Sequence, residues 1–522
     1  MIVAESDVLS LIYPPVKILD SHFWERTGAI QPSWKAAMSI SISKSKYVAG
    51  LQCPKLLWTH YNDPKSIPKP DDAKEAIFKI GHEVGDLAKA LYPDGKEVEW
   101  SRDLTLTVRD TADLIKQRVP IFEASFLVDG SYCRADILVP VDGGAWDLYE
   151  VKSATKVKDV NIDDVSFQAD AIERSGLRLD RLYLMHLDST YLRQGDVEPA
   201  GLFFASDVTG AARLLQPAVA SKVSDMHRCI AGKCPATPIG EQCFKPYACD
   251  LWNICSAHLP EHSVLDLNGI RKNKAFALID QGVEAIADLS ESGLSEKHLV
   301  QKAAVVTGAP QAQADEIRAF LDRLTYPIYC LDFEAMNPAV PRFDGTRPYQ
   351  HVPFQMSLHI IDAKGQPPRQ VEYLAETDDD PRPGLIEALK SIGPDGSLLA
   401  FNTTYEKRIV RELARDFPDA SGFLMGIHDR FEDLATPFSR FWYYDARQHG
   451  SSSLKAVLPV LTDKTYKGME IEEGSQAMRE FQRVVFEDTS PEEKDRVLAA
   501  LREYCRQDTQ AMVDILAALD QV

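Results

Sequence analysis

The stretch VPIFEASFLVDGSYCRADILVPVDGGAWDLYEVKSAT, residues 119–155, constrains this 522-residue chain more than any other. Apolar residues recur in alternating runs, broken at Asp129-Gly130 and at Asp142-Gly143-Gly144. Apolar runs of strand length split by Asp-Gly turns predict antiparallel, hairpin-linked strands. Before them, residues 41–92 place apolar side chains at three- and four-residue intervals, the period of a helix. After them come a helical run, VSFQADAIERSG, and an apolar strand, RLYLMHL. Together these elements predict an α/β core of modest size.

A single core rarely grows past roughly 250 residues, so more than one domain is expected. Between about 264 and 322 the pattern is wholly helical, with KNKAFALIDQGVEAIADL resembling a small helix-hairpin-helix unit. A second α/β pattern then begins at YPIYCLDFEA, continues through FQMSLHIIDA and LLAFNTTYEKRIVRELA, and ends in an amphipathic helix, PEEKDRVLAALREYCRQDTQAMVDILAAL. Residues 1–38 show no sustained periodicity and read either as an extension or as a misannotated start. No apolar run approaches the roughly 20 residues of a membrane span, and the first residues lack a secretory signal pattern, so a cytoplasmic protein is expected. A formal charge of −20 argues against a surface coated for nucleic-acid binding, but a nuclease needs only a local basic channel.

Residues i and i+2 of a strand face the same side, so Glu150 and Lys152 can share a site with Asp136 from the neighbouring strand. Two facing carboxylates suit Mg²⁺ or Mn²⁺, hard cations that take oxygen ligands and acidify bound water. Lys152 would orient or help deprotonate that water. Alone, an E-x-K pair also fits an ordinary surface strand. With His82 in KIGHEVGDLAK upstream and Gln168 in DVSFQADAI downstream, the arrangement resembles the RecB-like branch of the PD-(D/E)XK nucleases. That resemblance implies a restriction-endonuclease-like core, with His82 as a further metal ligand and Gln168 contacting substrate or holding the lysine strand. Glu123 reads either as an accessory acid or as a structural residue.

Nine cysteines in a chain of this kind are more readily thiols or metal ligands than disulfides. Cys243, Cys249 and Cys255 form an evenly spaced C-x5-C-x5-C, unlike the paired knuckles of zinc ribbons. With Cys53 they suit an iron–sulfur cluster held by four thiolates. Cluster-bearing RecB-like nucleases place one such cysteine before the core and three after it, which implies a [4Fe-4S] staple here. Zn²⁺ on a set drawn from Cys229, Cys234, His227 and His258 is the alternative.

In the C-terminal half, LDFEA supplies Asp332 and Glu334, FNTTYEK supplies Glu406, and EYCRQD supplies Tyr504 and Asp508 one helical turn apart. The set resembles the DnaQ-like (DEDD) 3′–5′ exonucleases, whose RNase H-like fold gathers four acids around two metals. Glu406 departs from that pattern, which has Asp in its place; the alternative is a domain that has kept the fold without catalysis. His449 and the following GSSSLK read either as a phosphate contact at a helix N-terminus or as a structural turn.

The order of parts resembles an uncharacterised bacterial family that joins a RecB-type nuclease to a C-terminal domain. The expected architecture is an α/β multidomain chain: extension 1–38, nuclease domain 39–260, helical connector 261–324 and exonuclease-like domain 325–522. The expected function is metal-dependent hydrolysis of nucleic acid, DNA before RNA, with any unwinding left to a separate helicase because no P-loop is present. The alternatives are a non-catalytic nucleic-acid-binding scaffold and an iron–sulfur redox protein.

Overall fold

The computed structural model describes residues 40–522, so the 1–38 extension lies outside the described residues. It falls into two compact units: one runs to Ser256 with Ala339–Pro341, the other comprises Ala257–Pro338 and Arg342–Val522. The helical segment 261–324 belongs to the second unit. Both units mix helices and strands. No helix among the described residues is long and apolar enough to cross a membrane.

The first unit contains β1 (Ile42–Ser43), α1 (Lys44–Gln52), α2 (Pro54–Asn62), α3 (Asp72–Lys89), β2 (Lys96–Glu97), α4 (Leu104–Gln117), β3 (Ile121–Val128) and β4 (Ser131–Pro140). There follow β5 (Trp146–Lys152), α5 (Asp159–Arg174), β6 (Leu179–Leu187), α6 (Pro199–Leu202), β7 (Phe203–Asp207), α7 (Thr209–Leu215), α8 (Val219–Ala231) and α9 (Trp252–Cys255). The sheet order is β2-β3-β4-β5-β6-β7, with β1 pairing parallel to β4.

The β3–β4–β5 meander is antiparallel, as the turns predict. Asp129 and Gly130 both take positive φ, 43° and 79°, the backbone a tight hairpin turn demands. Gly130 is also required sterically, because a Cβ there would lie 2.4 Å from Nε2 of His227. On one face of the sheet, Leu138, Trp146, Leu148 and Leu184 pack with Phe167 of α5, a helix buried from Asp164 to Ile172. The other face carries Phe122, Ile137, Tyr149, Val151 and Met185 against Ala88 of α3.

The second unit contains α10 (Lys272–Asp280), α11 (Glu296–Thr307), β8 (Gln311–Ala312), α12 (Ala314–Leu321), β9 (Ile328–Met336), β10 (Val352–Ile361), β11 (Arg369–Leu374), α13 (Arg382–Leu389) and β12 (Ser397–Ala400). It ends with α14 (Thr404–Asp416), α15 (Ser421–His428), β13 (Phe431–Asp433), α16 (Thr436–Ser439), β14 (Tyr443–Tyr444), α17 (Leu454–Thr462), α18 (Gly474–Phe486) and α19 (Pro491–Leu519). Its main sheet is ordered β11-β10-β9-β12-β13. β10 is antiparallel to both its neighbours, while β9, β12 and β13 run parallel. Leu331 and Phe333 pack towards α13, α14 and α15, and Cys330 and Met336 towards α18 and α19. Alternation along β9 therefore turns Asp332 and Glu334 to the α19 side.

Candidate functional site

The first site is assembled from three segments of the first unit. β1 pairs Ser43 with Tyr132 of β4, and the Ser43 hydroxyl accepts from the Lys46 amide at 3.4 Å, starting α1 beside the meander. Tyr47 stacks on Phe167 of α5 at 4.8 Å, which fixes α1 over the sheet face that carries Glu150. Asp136 Oδ2 accepts from the Val151 amide at 2.8 Å, locking the β4 acid to the β5 backbone.

Glu150, with no exposed surface, is the centre of the group. Lys44 Nζ donates to its Oε1 and Oε2 at 2.9 and 3.0 Å and lies 3.4 Å from Asp136 Oδ1. Lys152 Nζ lies 2.5 Å from Glu150 Oε1 and 2.9 Å from Asp164 Oδ2. Gln168 Nε2 donates to Glu150 Oε2 at 2.7 Å and to Asp164 Oδ1 at 3.3 Å. Asp136, Glu150, Lys152 and Gln168 are thus brought together, and Lys44 and Asp164 join them.

The electrostatics follow from burial among opposite charges. Burial and the neighbouring Glu150 push Asp136 up to about 7, against the pull of Lys44 and Lys152. Burial would raise Glu150 too, but Lys152 and Lys44 outweigh it and hold that carboxyl well below the usual range. Burial would lower both lysines, yet the surrounding carboxylates keep them firmly protonated. Asp136 and Glu150 already converge on one cationic atom, so this oxygen donor set fits a hard divalent ion. The Gln168 Oε1 atom is buried with no hydrogen-bond partner, an acceptor left over at the same place.

His82 is not part of this group. It stands exposed on α3, whose buried residues Val84 and Ala88 face inward. That helix covers the face of Tyr149 and Val151, while Glu150 between them points towards α5. Glu123 is ion-paired to Arg134 at 3.4 Å and Lys89 at 3.8 Å, and it takes a φ of 56° within β3.

The cysteines converge at the junction of α1 and α2. Cys53 packs with Ala49, Leu56 and Leu251, and Cys249 and Cys255 border the same cluster. Burial raises the Cys249 thiol, and the Cys53, Cys243 and Cys255 sulfurs raise it further, while burial, Cys234 and Cys53 raise the Cys229 thiol in the same way. Gln52 Nε2 donates to the carbonyls of Gln242 and Tyr247, each at 2.8 Å, fastening the 243–249 loop to α1. Lys55 Nζ donates to Cys255 Sγ at 3.2 Å. Among the described residues, the only group of three ligand atoms within 4.8 Å of one another is a carboxylate group in the second unit.

That carboxylate group is Asp332, Glu334 and Asp508. Asp332 and Glu334 come from β9, and Asp508 from α19, where Tyr504 sits one turn earlier. Glu406, in the first turn of α14, is 4% exposed and its Oε2 is buried without a hydrogen-bond partner. All face the end where β9 and β12 deliver their carboxyl termini, the usual place for a site on parallel strands. Burial and mutual repulsion raise Asp332 well above its ordinary value and push Glu334 and Glu406 up to about 8. Burial pushes Asp508 up to about 6, restrained by the Tyr466 hydroxyl that donates to its Oδ1 at 2.6 Å. Asp332, Glu334 and Asp508 lie close enough to share one ion, whereas Glu406 stands outside that group of three and does not line the cavity beside it.

Asp332, Glu334, Tyr504 and Asp508 line a cavity of about 830 Å³, shared with Tyr405, Asp433, Ser451–Ser453 and Lys455. The GSSSLK segment therefore reaches the cavity, but His449 does not line it: its Nδ1 sits 3.6 Å from Asp266 and its ring 5.0 Å from that of His262. Lys455, Tyr466 and Asp433 were not singled out from sequence. Lys455 lies 5.3 Å from the ring centroids of both Tyr466 and Tyr504.

The profile of a family described as a domain of unknown function, DUF2779, matches residues 329–453. That span includes Asp332, Glu334 and Glu406 but stops short of Lys455, Tyr504 and Asp508. No curated protein matches the chain.

Proposed function

We propose that the protein is a metal-dependent nuclease that hydrolyses phosphodiester bonds of nucleic acid, DNA in preference to RNA, with a second centre of 3′–5′ exonuclease type. The observation that carries this reading is the convergence of Asp136, Glu150, Lys152 and Gln168, from β4, β5 and α5, on one buried point. The meander and its flanking helices support a restriction-endonuclease-like core. The mixed sheet, with its first two acids on the middle strand and its last on the final helix, supports an RNase H-like domain.

In the first centre Asp136 and Glu150 would hold Mg²⁺ or Mn²⁺, which supplies a Lewis acid for the phosphate and acidifies bound water. Lys152, braced by Glu150 and Asp164, keeps a fixed positive charge next to the place where negative charge develops. Gln168 braces Glu150 through its amide nitrogen and carries a buried carbonyl oxygen with no hydrogen-bond partner. In the second centre Asp332, Glu334, Glu406 and Asp508 would hold the metals, and Tyr504 would orient the attacking water. Cys53, Cys243, Cys249 and Cys255 would hold a [4Fe-4S] cluster with a structural role.

The two centres separate by mutation. Asp332→Asn should remove digestion from the 3′ end of single-stranded DNA with Mn²⁺, leaving the cleavage that depends on Glu150. Loss of all cleavage in Asp332→Asn protein of normal stability would merge the two centres into one. Tyr466→Phe, in a Glu150→Gln background, should move the acid limb of the remaining activity upward. The lost hydroxyl holds Asp508 down, so its removal raises that acid and delays its ionisation. A hydrogen bond to a charged group is worth roughly 1.5–3 kcal/mol and one pH unit about 1.4, so a shift of about one to two units is expected in the pH–rate profile. An unmoved limb would take Asp508 out of the titrating set.

A further inference from the structure

We propose that Lys44 is a built-in counter-ion of the acid pair, one that a divalent cation must displace in order to bind Asp136 and Glu150. The inference rests on the metal-site reading above and adds to it a competitor within the chain. Lys44 Nζ contacts both Glu150 oxygens and Asp136 Oδ1, whereas Lys152 bridges Glu150 to Asp164. The ammonium therefore stands where one cation can touch both acids. A metal ion would need the same Asp136 and Glu150 oxygens that this ammonium fills, and with Lys152 already on Glu150 Oε1 a further cation beside both lysines would be strongly repelled.

The charge count points the same way. Asp136, Glu150 and Asp164 face Lys44 and Lys152, three carboxylates against two ammoniums, which leaves one negative charge when all are ionised. A divalent cation added with Lys44 in place would leave the group positive. Exchange of the cation for Lys44 ends neutral, which is the cheaper state away from water. The exit is open: the Lys44 side chain is 28% exposed, and it stands on the first residue of α1, directly after the two-residue strand β1. A flexible four-carbon stem there can swing its ammonium to solvent while the helix stays fixed by Tyr47 against Phe167.

The device would keep three buried acids paired when divalent ion is scarce, and it would set the ion concentration at which the site fills. The test is Mn²⁺ affinity, read from the paramagnetic signal of free Mn²⁺ over the full-length protein with its cysteine site loaded. Asp332→Asn and Asp508→Asn in the background silence the second acid group. Lys44→Gln should bind Mn²⁺ about tenfold more tightly, within the usual range of coupling between two bound charges, and Lys44→Arg should bind as the parent does. Equal or weaker binding by Lys44→Gln, with the parent binding normally and Glu150→Gln not binding, would overturn the proposal and leave the metal site standing. If neither the parent nor Lys44→Gln binds Mn²⁺ at any concentration, the metal-site reading falls and this one with it. Should Lys44→Gln prove unstable without metal, its melting temperature supplies the same comparison. Added Mg²⁺ should raise it more than in the parent, by ligand linkage, and an equal or smaller rise would count against displacement.

Discussion

Glu150→Gln is expected to lower metal-dependent cleavage at the first centre on the order of 10³-fold, the scale seen when one well-placed electrostatic group is removed. It removes the one carboxylate that touches Lys44, Lys152 and Gln168 together. The same change costs stability, because both ammoniums lose their nearest partner. Breaking a buried ion pair typically costs about 3–5 kcal/mol. Here each lysine side chain is 28% exposed and keeps a second carboxylate, so the expected loss is smaller, about 2 kcal/mol after solvent screening. Denaturant titration alongside single-turnover cleavage separates the two effects: inactive protein with most of its stability is the expected result. Full activity would show that Glu150 is only a structural counter-charge.

Cys53→Ser is expected to unfold the first unit rather than slow it. Cys53 and Cys243 are 190 residues apart, and the sheet and the Glu150 site lie between them in sequence. A cross-link closing a loop of that length is worth on the order of 5 kcal/mol in the chain-entropy account, comparable to the whole stability of many domains. On the proposed four-thiolate cluster, loss of one thiolate should therefore abolish bound iron and sulfide and the brown colour, and lower the melting temperature steeply. Cys234→Ser, at an exposed position outside the four, should do neither. Iron retained at full stoichiometry in Cys53→Ser, or lost in Cys234→Ser, would redraw the ligand set in favour of Cys229 and Cys234.

The parts legible in the sequence were those governed by local period. Asp-Gly turns and alternation announced the β3–β4–β5 meander, and the same alternation placed Glu150 and Lys152 on one side of β5. Asp332 and Glu334 were readable on β9 for that reason, as were Tyr504 and Asp508 at a helical spacing. Asp164 was within reach of the same logic, since it precedes Gln168 by one helical turn and shares its partners. Lys44 was not. It is 92 residues from Asp136, and the contact depends on the two-residue pairing of β1 with β4, which carries no periodic signal.

His82 illustrates the converse. Its helix was legible, but the sheet face that helix covers is a tertiary fact, decided by which of Tyr149, Glu150 and Val151 meets Ala88. In the second unit the Ser-rich turn before Lys455 was readable as a candidate loop, while which of its residues reach the cavity was not. His449 is drawn off by Asp266, and Lys455 is drawn in over the rings of Tyr466 and Tyr504.

The central claim, that two acid centres in this chain cleave nucleic acid, is tested most directly on single-stranded DNA labelled at the 5′ end and incubated with Mn²⁺. Wild-type protein should shorten the labelled strand, and the Glu150→Gln, Asp332→Asn double variant should leave it intact at matched fold and cluster content. Wild-type protein that cuts nothing with either Mn²⁺ or Mg²⁺, or a double variant that cuts as fast as wild type, would contradict it.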